Sequence, residues 1–500
     1  MLPLLISSQI READAWTIKN EPISSVDLME RASRAFVGWF INHFPERNER
    51  ISVYCGTGNN GGDGLAIARM LHQHKYQNIS AKAARFSDKS TADFDVNMQR
   101  LHDCGLDIIT INKGEIPTED GHIIIDALLG SGLNKPLEGD YKSLVDYLNS
   151  LQKTVVAVDV PTGFFADGEV PPDATVLNAE LVITFQQAKI NFLLPESKNH
   201  IACWETVNIG ISEEFTRSLN SAYQYVEEKD IRKILKHRKP FSNKGTYGHT
   251  LVIAGEARTM GAALLCSSAS AYAGAGLTTA CIPGNGLTAL NSYMPELMAI
   301  IRDGDTLPDI DWDKFKSIAF GPGLGTDENA LELFAYVLTN YNKPLVIDAD
   351  GLNLLANNST LWQALPPGSI LTPHMKEFDR LFGTHTNWWA RLQTAKQQAA
   401  ERNIYIILKN DYTITATPDG KLYFNSTSNA AMATGGMGDV LTGILASLLS
   451  QGYTAEQACI AGVYIHGKAG DELALPNRMN VVLPGRLAQQ LPVTMAKLMA

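Results

Sequence analysis

Short runs rich in valine and isoleucine recur along this chain and alternate with longer stretches whose apolar residues follow helical spacing. The first half contains ISVYC at 51–55, ISAKAARF at 79–86, HIIIDALLG at 122–130, TVVAVDVPTG at 154–163 and ELVITF at 180–185. Continuous apolar runs separated by helices are typical of a parallel sheet that helices cover on both faces. The pattern therefore predicts an α/β fold whose ligands bind beyond the carboxyl ends of the strands.

A second series of apolar runs follows in the other half of the chain. It contains TLVIAG at 250–255, SIAFGPGLG at 317–325, PLVIDADGLN at 344–353, SILTPH at 369–374 and IYIILKN at 404–410. Residues 212–246 separate the two series, and this polar, charged stretch lacks a run expected to form a core strand. Because 500 residues also exceed one ordinary hydrophobic core, we predict two domains, residues 1–225 and 226–500.

The amino-acid composition limits the kinds of molecule that this chain is expected to bind. The net charge of -11 disfavours nucleic-acid binding, which needs clustered lysine and arginine. No apolar run is long enough to span a bilayer, and the six scattered cysteines form no CxxC pair, as in reduced cytoplasmic proteins. We therefore expect a cytoplasmic homo-oligomer that acts on small molecules and binds neither nucleic acid nor membrane.

The glycine-rich segment GTGNNGGDG at 56–64 is the strongest local feature of the first half. It follows an apolar run and precedes a helical pattern, so its amides and the helix N-terminus suit a phosphate. Alternatively, the segment is a tight turn without a ligand. The acidic residue that binds ribose in NAD-binding domains is not evident at the end of the next run, because Asp88 is loosely placed.

Two further loops belong beside this segment, because they also follow buried runs. The amides of GSGLNKP at 130–136, together with Lys135, suit an anion, and Asp159 either faces a ligand or caps the next turn. Asp126 lies inside an apolar run, where a carboxylate needs a partner or a cation. With oxygens from Asn60 and Thr162, it forms a candidate site for a hard monovalent ion.

The segments NNGGDG, DALLGSGL, VDVPTG and TFQQAKI together resemble the NAD(P)H-hydrate epimerase domain, over roughly residues 1–220. The resemblance implies a Rossmann-like doubly wound fold, catalysis by Asp159, a supporting role for Lys189, and potassium at Asn60, Asp126 and Thr162. The implied substrate contacts are Asn59, Asn60, Gly61, Gly62, Asp63, Gly130, Ser131, Gly132, Leu133, Asn134, Lys135, Pro136, Tyr141 and Asp159.

In the second half, ATGGMGDVLTG at 433–443 opens an apolar helical pattern that continues to residue 450. Amide groups at a helix N-terminus suit the charge that develops on a transferred phosphate. A carboxylate there would repel the phosphate, so Asp439 is better interpreted as a base that acts on a hydroxyl. Alternatively, Asp439 only caps the helix.

This GGxGD loop resembles the ribokinase-like superfamily of small-molecule kinases. With KGTYGHTLVIAG at 244–255, GPGLG at 321–325, DADGLN at 348–353 and TPHMKEF at 372–378, it resembles NAD(P)H-hydrate dehydratase over roughly residues 230–500. The implied contacts of the hydrated substrate are Ala262, Gly323, His374 and Asp439. The implied nucleotide contacts are Lys409, Asn410, Asp411, Tyr412, Thr413, Gly435, Gly436 and Gly438. Alternatively, His374 is a structural histidine.

The two resemblances together imply repair of hydrated NADH and NADPH. The first domain would interconvert the R and S hydrates, and the second would dehydrate the S hydrate with ADP and Mg2+, releasing AMP and phosphate. A sugar or vitamin-precursor kinase fused to a NAD-binding domain is the main alternative. A first domain that only binds a ligand or a partner is another, and a redox dehydrogenase is disfavoured by the missing ribose partner.

Overall fold

The computed structural model describes residues 1–302 and 307–500. The chain divides into two compact units. The N-terminal unit comprises Pro3–Ser221 with Asn387–Trp389, and the C-terminal unit comprises Met1–Leu2, Ala222–Thr386 and Ala390–Ala500. Within the described ranges, no helix has the length and apolar character needed to cross a membrane.

Helices and strands alternate through the first part of the chain. Their bounds are β1 (Leu2–Leu4), α1 (Ser7–Asn20), α2 (Ser25–His43), β2 (Arg50–Cys55), α3 (Asn59–Gln73), β3 (Asn78–Ala84), α4 (Ala92–Asp103), β4 (Ile108–Ile111), β5 (Ile123–Ala127), α5 (Gly139–Ser150), β6 (Thr154–Val158), β7 (Ala179–Phe185), β8 (Ile201–Val207) and α6 (Glu213–Ser218). All five apolar runs noted in the first half of the sequence contain a strand.

The sheet of the N-terminal unit has the strand order β4-β3-β2-β5-β6-β7-β8, and every neighbouring pair is parallel. The order reverses between β2 and β5, so the loops that follow these two strands leave the sheet in opposite directions and open a crevice. The predicted Rossmann-like doubly wound fold is therefore confirmed.

Helices cover both faces of this sheet. On one face, Phe36 and Phe40 of α2 and Leu65 of α3 form a buried cluster with strand residues, and on the other face Leu144 and Leu148 of α5 do the same. Ser24 caps α2, because its hydroxyl accepts a hydrogen bond from the Asp27 amide. The two packed faces hold the ends of β2, β5, β6 and β7 in a fixed arrangement.

The second part of the chain forms a longer series. Its elements are β9 (Tyr223–Val226), α7 (Glu228–Ile234), β10 (His249–Ile253), α8 (Met260–Tyr272), β11 (Leu277–Pro283), α9 (Leu287–Tyr293), β12 (Met298–Arg302), β13 (Ser317–Phe320), α10 (Glu328–Asn340), β14 (Leu345–Ile347), α11 (Asp350–Asn357), α12 (Ser359–Ala364), β15 (Ile370–Leu371), α13 (Met375–Phe382), α14 (Trp388–Arg402), β16 (Tyr405–Leu408), β17 (Ile414–Ala416), β18 (Leu422–Asn425), α15 (Met437–Ser450), α16 (Ala455–Ala474) and α17 (Pro484–Met499).

The sheet of the C-terminal unit runs β9-β18-β17-β16-β15-β14-β13-β10-β11-β12. Pairing is parallel from β16 through β12, whereas β16, β17 and β18 are joined by antiparallel pairs. The order reverses between β10 and β13, which again opens a crevice where strands end. Helices α8, α15 and α16 pack against the sheet and supply much of its buried core. The predicted α/β class is confirmed in this unit as well.

One expectation about residues 212–246 is wrong. This stretch contains β9, which pairs in parallel with β18, and Val226 is 2% exposed. The strand escapes a search for apolar runs because it is four residues long and only its two ends, Tyr223 and Val226, are buried.

Candidate active sites

A cavity of about 510 Å³ lies in the N-terminal unit where β2, β5, β6 and β7 end. Lys189 lines it, and so do eight of the fourteen residues that the sequence resemblance implies as substrate contacts: Asn59, Asn60, Asp63, Gly130, Ser131, Gly132, Leu133 and Asp159. Six others do not line it: Gly61, Gly62, Asn134, Lys135, Pro136 and Tyr141. Three separate loops of the sequence thus converge on one space.

The glycine-rich segment forms one wall and continues into α3. A side chain at Gly61 is impossible in this conformation, because its Cβ would lie 1.7 Å from the carbonyl oxygen of Gly56. The segment therefore folds tightly onto itself, and α3 begins at Asn59 beside the cavity. The N-terminus of this 15-residue helix carries unpaired amide groups and the positive end of the helix dipole, and it lies beside the space that a ligand would occupy.

Asp159 follows β6 in a left-handed backbone conformation, with φ of 64°. This conformation costs about 1–3 kcal/mol for a residue other than glycine, and such strain is concentrated at functional sites. The carboxylate is held firmly, because its Oδ1 accepts hydrogen bonds from Lys189 Nζ at 2.6 Å, the Phe185 amide at 3.0 Å and Thr184 Oγ1 at 3.1 Å. Lys189 is 2% exposed, so Asp159 has a buried cation as its partner.

Asp63 also lines this cavity, but unlike Asp159 it contacts a hydroxyl group and not an ammonium group. Burial, and then the charge of Asp159, raise the pKa of Asp63 well above its usual range, while a hydrogen bond from Ser33 opposes the rise. The Ser33 hydroxyl lies 3.3 Å from Asp63 Oδ1. Asp63 is thus suited to hold a proton, whereas Asp159 faces an ammonium group.

The three residues proposed from sequence as potassium ligands suit a cation chemically. Asp126 is fully buried, and its carboxylate accepts hydrogen bonds from the Thr162 hydroxyl at 2.6 Å and the Thr162 amide at 2.7 Å. Burial raises the pKa of Asp126 to about 6, although these bonds and the Leu128 amide oppose the rise. No lysine or arginine of the described ranges pairs with it. A cation here would stabilise an otherwise uncompensated buried charge.

In the C-terminal unit, Asp439 lies in the first turn of α15. Lys409 Nζ contacts Asp348 Oδ1 at 3.0 Å, and Thr442 Oγ1 donates to the other oxygen of Asp348 at 2.9 Å. Gly438 lies against this pair, since a Cβ there would be 3.3 Å from both Asp348 Oδ2 and Lys409 Nζ. The end of β16, the end of β14 and the start of α15 therefore meet at one point.

The charges at this point raise one pKa and lower another. Burial raises the pKa of Asp439 to about 7, with the charge of Asp348 adding to the rise and Lys409 opposing it. Burial acts on Asp348 in the same direction, but Lys409 and hydrogen bonds from Thr372 and Thr442 bring its pKa below the usual range. Asp439 is thus the carboxylate that exchanges a proton near neutral pH.

The remaining residues singled out in this unit fall into small groups. Gly323 lies against Ala262, because a Cβ on Gly323 would be 2.9 Å from the Cβ of Ala262. Gly436 has φ of 97° and begins α15, while Gly435 is exposed. Two predicted substrate contacts, Gly323 and Ala262, therefore lie together, and two predicted nucleotide contacts, Gly435 and Gly436, lie just before α15.

The segment that follows β16 holds the other predicted nucleotide contacts. Both polar atoms of the Asn410 amide are buried without a hydrogen-bond partner, whereas Asp411 is exposed. Tyr412 and Thr413 are half-buried, and the Thr413 hydroxyl donates to the Asn410 carbonyl at 2.9 Å. The segment is therefore a turn with an unsatisfied amide, next to Lys409.

His374 has a structural contact in addition to its predicted binding role. Its Nδ1 accepts hydrogen bonds from the amides of Lys376 and Glu377, and Glu377 Oε2 accepts one from the His374 amide. These reciprocal bonds cap α13. The side chain remains 51% exposed, and its Nε2 lies 3.6 Å from Glu377 Oε1. The backbone of His374 pairs with that of Lys409.

Comparison with known proteins decides the family. Residues 25–190 match the family described as YjeF-related protein N-terminus, and residues 250–493 match the family described as NAD(P)H-hydrate dehydratase. The bifunctional NAD(P)H-hydrate repair enzyme of Moorella thermoacetica is 30% identical over 99% of this chain and 97% of its own. The chain belongs to the family of bifunctional NAD(P)H-hydrate repair enzymes.

Two further similarities involve a relative and a solved structure. The repair enzyme of Coxiella burnetii is 33% identical, over 95% of each chain. The ADP/ATP-dependent NAD(P)H-hydrate dehydratase of Bacillus subtilis, crystallised with ATP and Mg2+, is 29% identical with a TM-score of 0.48, covering 55% of this chain and 98% of that one. The two parts of this repair enzyme thus correspond to two named families, as the motifs of the sequence predicted.

The motif search missed part of the N-terminal site of this repair enzyme. Helix α1 contributes Ile10, Arg11, Ala13 and Asp14 to the cavity wall. The sequence does hold a signal for this helix, because Ile10, Ala13 and Thr17 repeat at helical spacing. Asp14 lies on the same face, and a helix assignment would have marked it as a carboxylate next to a buried surface.

Proposed function

We propose that this chain restores hydrated NADH and NADPH to the working cofactors, using a different reaction in each half. Residues 1–225 would interconvert the R and S hydrates, and residues 226–500 would dehydrate the S hydrate at the expense of ADP. The observation that carries the proposal is the convergence of three motif loops on one cavity that also holds the strained Asp159. Family membership along nearly the whole chain supports it.

The epimerisation needs a group that moves protons beside the damaged ring. The hydrate carries a hydroxyl on C6, next to the ring nitrogen, whose lone pair can expel the hydroxyl and leave an iminium ion. Water that returns to the opposite face gives the other epimer. Asp159 is suited to accept a proton from the attacking water, because Lys189 and two further donors orient it at the cavity wall. The other cavity residues predicted from sequence would bind the nucleotide around it.

The dehydration uses a phosphate to turn hydroxide into a good leaving group. Asp439 would remove the proton of the C6 hydroxyl as its oxygen attacks the terminal phosphorus of ADP, releasing AMP. Amides of Gly435, Gly436 and Gly438 would stabilise the transferred group. Loss of phosphate from C6 and of a proton from C5 then restores the dihydropyridine ring. The proposed nucleotide contacts are those given above, from Lys409 to Thr413.

Two ions accompany these reactions in our proposal. Asn60, Asp126 and Thr162 would hold K+, which would compensate the buried charge of Asp126 and fix the loops around it. Mg2+ would arrive with the phosphates of ADP and neutralise their charge during transfer. In the described ranges, no group of three or more histidine, cysteine, aspartate or glutamate residues is placed to hold a metal.

The surroundings in which the enzyme works are a further part of the proposal. Free cysteines and the net charge of -11 support a cytoplasmic enzyme that acts on small molecules. We also propose that the enzyme is a homo-oligomer.

The test is recovery of the near-ultraviolet absorbance of reduced nicotinamide from a mixture of both hydrates, with ADP, with ATP and with neither. Complete recovery with ADP, matched by released phosphate, is the expected result. Asp159→Asn is expected to stop recovery near the S fraction, since the R hydrate is then converted only by spontaneous epimerisation.

Two other results of this experiment would contradict the proposed function. Absence of recovery with any nucleotide, together with a stable phosphorylated product from a sugar or vitamin precursor, would make the C-terminal unit a small-molecule kinase. Recovery by the unaltered chain that stops near the S fraction would mean that the first domain only binds a ligand.

A further inference from the structure

Helix α1 brings a third carboxylate to the N-terminal cavity, besides Asp63 and Asp159, and it comes from a different element than either of them. Asp14 lines the cavity with its neighbours Ile10 and Arg11, whereas Asp159 follows β6. The helix is anchored at its start, because Asp167 accepts hydrogen bonds from the Ser7 amide at 2.7 Å and the Ser7 hydroxyl at 2.6 Å. Asp14 is thus held by a fixed element and faces the same space as Asp159.

The two carboxylates differ in how they are bonded. Asp159 Oδ1 accepts three hydrogen bonds, one of them from the ammonium group of Lys189. For Asp14, no donor from residues 1–302 or 307–500 forms a hydrogen bond with the carboxylate. A largely buried carboxylate without donors favours its protonated form, whereas one that contacts an ammonium group favours its ionised form. The cavity therefore combines an acid with a base.

We propose that Asp14 and Asp159 act as an acid–base pair that protonates the departing hydroxyl on one face of the nicotinamide ring and deprotonates the returning water on the other. This inference rests on the proposed epimerase function of the cavity. It adds a second catalytic residue to the reaction and explains how one site handles two epimers whose hydroxyls project from opposite faces.

The protons and bonds balance through one turnover. In one direction, protonated Asp14 gives its proton to the C6 hydroxyl, the C–O bond breaks and water leaves, with the nitrogen lone pair forming the iminium ion. A water on the opposite face then forms a new C–O bond and gives one proton to Asp159. The enzyme is left with ionised Asp14 and protonated Asp159, which is the state that starts the reverse reaction. Proton exchange with solvent resets the pair.

The charges around Asp14 agree with this role. Burial, and then the charge of Asp159, raise the pKa of Asp14 to about 6, while Lys189 opposes the rise. Asp63 faces the same cavity from α3, and Arg11 faces it from α1 itself. A group that titrates near 6 gives and takes protons at comparable rates, which a reaction that runs both ways requires.

The experiment compares Asp14→Asn, Asp14→Glu and Glu12→Gln in the full-length chain. Glu12 is an exposed carboxylate on the same helix and does not line the cavity. Epimerisation is followed without nucleotide, by chromatographic separation of the two hydrates after starting from one purified epimer. ADP-dependent dehydration of the S hydrate by the same samples reports whether the C-terminal unit is intact, and circular dichroism reports folding of the whole chain.

We expect Asp14→Asn to lower kcat for epimerisation at least about 100-fold with little change in KM, because it removes a general acid. In the unaltered enzyme, kcat/KM should fall about tenfold per pH unit above pH 6, as Asp14 loses its proton. Asp14→Asn should abolish this fall, Asp14→Glu should restore it with a shifted midpoint, and Glu12→Gln should match the unaltered enzyme.

Two outcomes overturn the inference. Activity of Asp14→Asn within threefold of the unaltered enzyme removes Asp14 from the reaction. A large loss with an unchanged pH profile, or one that Asp14→Glu does not rescue, assigns Asp14 to packing or binding. Absence of epimerisation by the unaltered enzyme is a different result, because it contradicts the proposed function itself and not the role of Asp14 within it.

Discussion

Each of the two units places one lysine among several carboxylates, but the lysine has a different partner in each. In the N-terminal unit, Lys189 contacts Asp159, the residue proposed for catalysis, at 2.6 Å. In the C-terminal unit, Lys409 contacts Asp348 at 3.0 Å, and the proposed catalytic residue Asp439 is left without this partner. The same two residue types, lysine and aspartate, therefore give two different sites.

The different lysine partners indicate which carboxylate in each site carries a proton. Pairing with lysine favours the ionised form, so the protons of the N-terminal cavity belong to Asp14 and Asp63, whose pKa values are raised by burial. In the C-terminal site, burial raises the pKa of the catalytic residue Asp439 itself, to about 7. The environment, not the residue type, assigns acid and base. A reversible epimerisation needs both forms at once, whereas a dehydration that starts with proton removal needs only a base.

The largest expected effect comes from removing the base of the C-terminal site. Asp439→Asn should lower ADP-dependent dehydration by at least about 1,000-fold, because an amide accepts no proton from the C6 hydroxyl. Epimerisation by the same protein should be unchanged. Phosphate release from purified S hydrate measures the first activity, and Asp313→Asn, an exposed carboxylate of the same unit, is the matched control. Dehydration within tenfold of the unaltered rate would mean that Asp439 only caps α15.

The next effect comes from breaking the lysine pair that defines the N-terminal site. Lys189→Met leaves Asp159 without its cation, and breaking a buried pair from one side costs about 3–5 kcal/mol. The urea concentration at which epimerase activity is lost should therefore fall, while that for dehydratase activity stays constant. Because Lys189 also donates the shortest hydrogen bond that orients the Asp159 carboxylate, epimerisation should fall as well. Unchanged stability and rate would show that the pair contributes nothing to the site.

The sequence predicts those features of the two sites that depend on residues close together along the chain. It does not predict contacts between residues that are far apart in the sequence. The strand runs and the loops with Asp159 and Asp439 follow from local periodicity and glycine placement. The partner of each lysine does not follow, because Lys409 and Asp348 are 61 residues apart. They meet only because β15 pairs with both β14 and β16 and so brings the ends of these two strands to the same edge of the sheet. Asp14 was missed for a related reason, since only the folded chain brings α1 to the ends of β5 and β6.

The third prediction concerns pH and sets the two activities of one chain against each other. Asp439 must be ionised to act as a base, and its pKa is raised to about 7, so dehydration should rise about tenfold per pH unit up to pH 7 and then level off. Asp14 must be protonated to act as an acid, so epimerisation should fall above pH 6. Rates of both reactions measured between pH 5 and 8 on one preparation test this. Parallel profiles would contradict the assignment of proton holders.

The smallest expected effect comes from removing one threonine hydroxyl from each of the two sites. Thr442 Oγ1 donates to Asp348 at 2.9 Å, and Thr184 Oγ1 donates to Asp159 at 3.1 Å. Asp159 keeps a backbone amide and Lys189 when Thr184 is replaced by valine, whereas Asp348 is more deeply buried and keeps only side-chain donors when Thr442 is replaced. We therefore expect Thr442→Val to destabilise its unit by about 1–2 kcal/mol and Thr184→Val by less.

Urea denaturation followed through the loss of each activity measures both changes in one chain. The two valine substitutions remove the same atoms, so each serves as the control for the other. A larger loss for Thr184→Val would mean that Asp159 depends on its hydroxyl donor more than on its lysine. Since each carboxylate also contacts a lysine, the backbone amide that Asp159 accepts from would then fail to compensate for a lost hydroxyl donor.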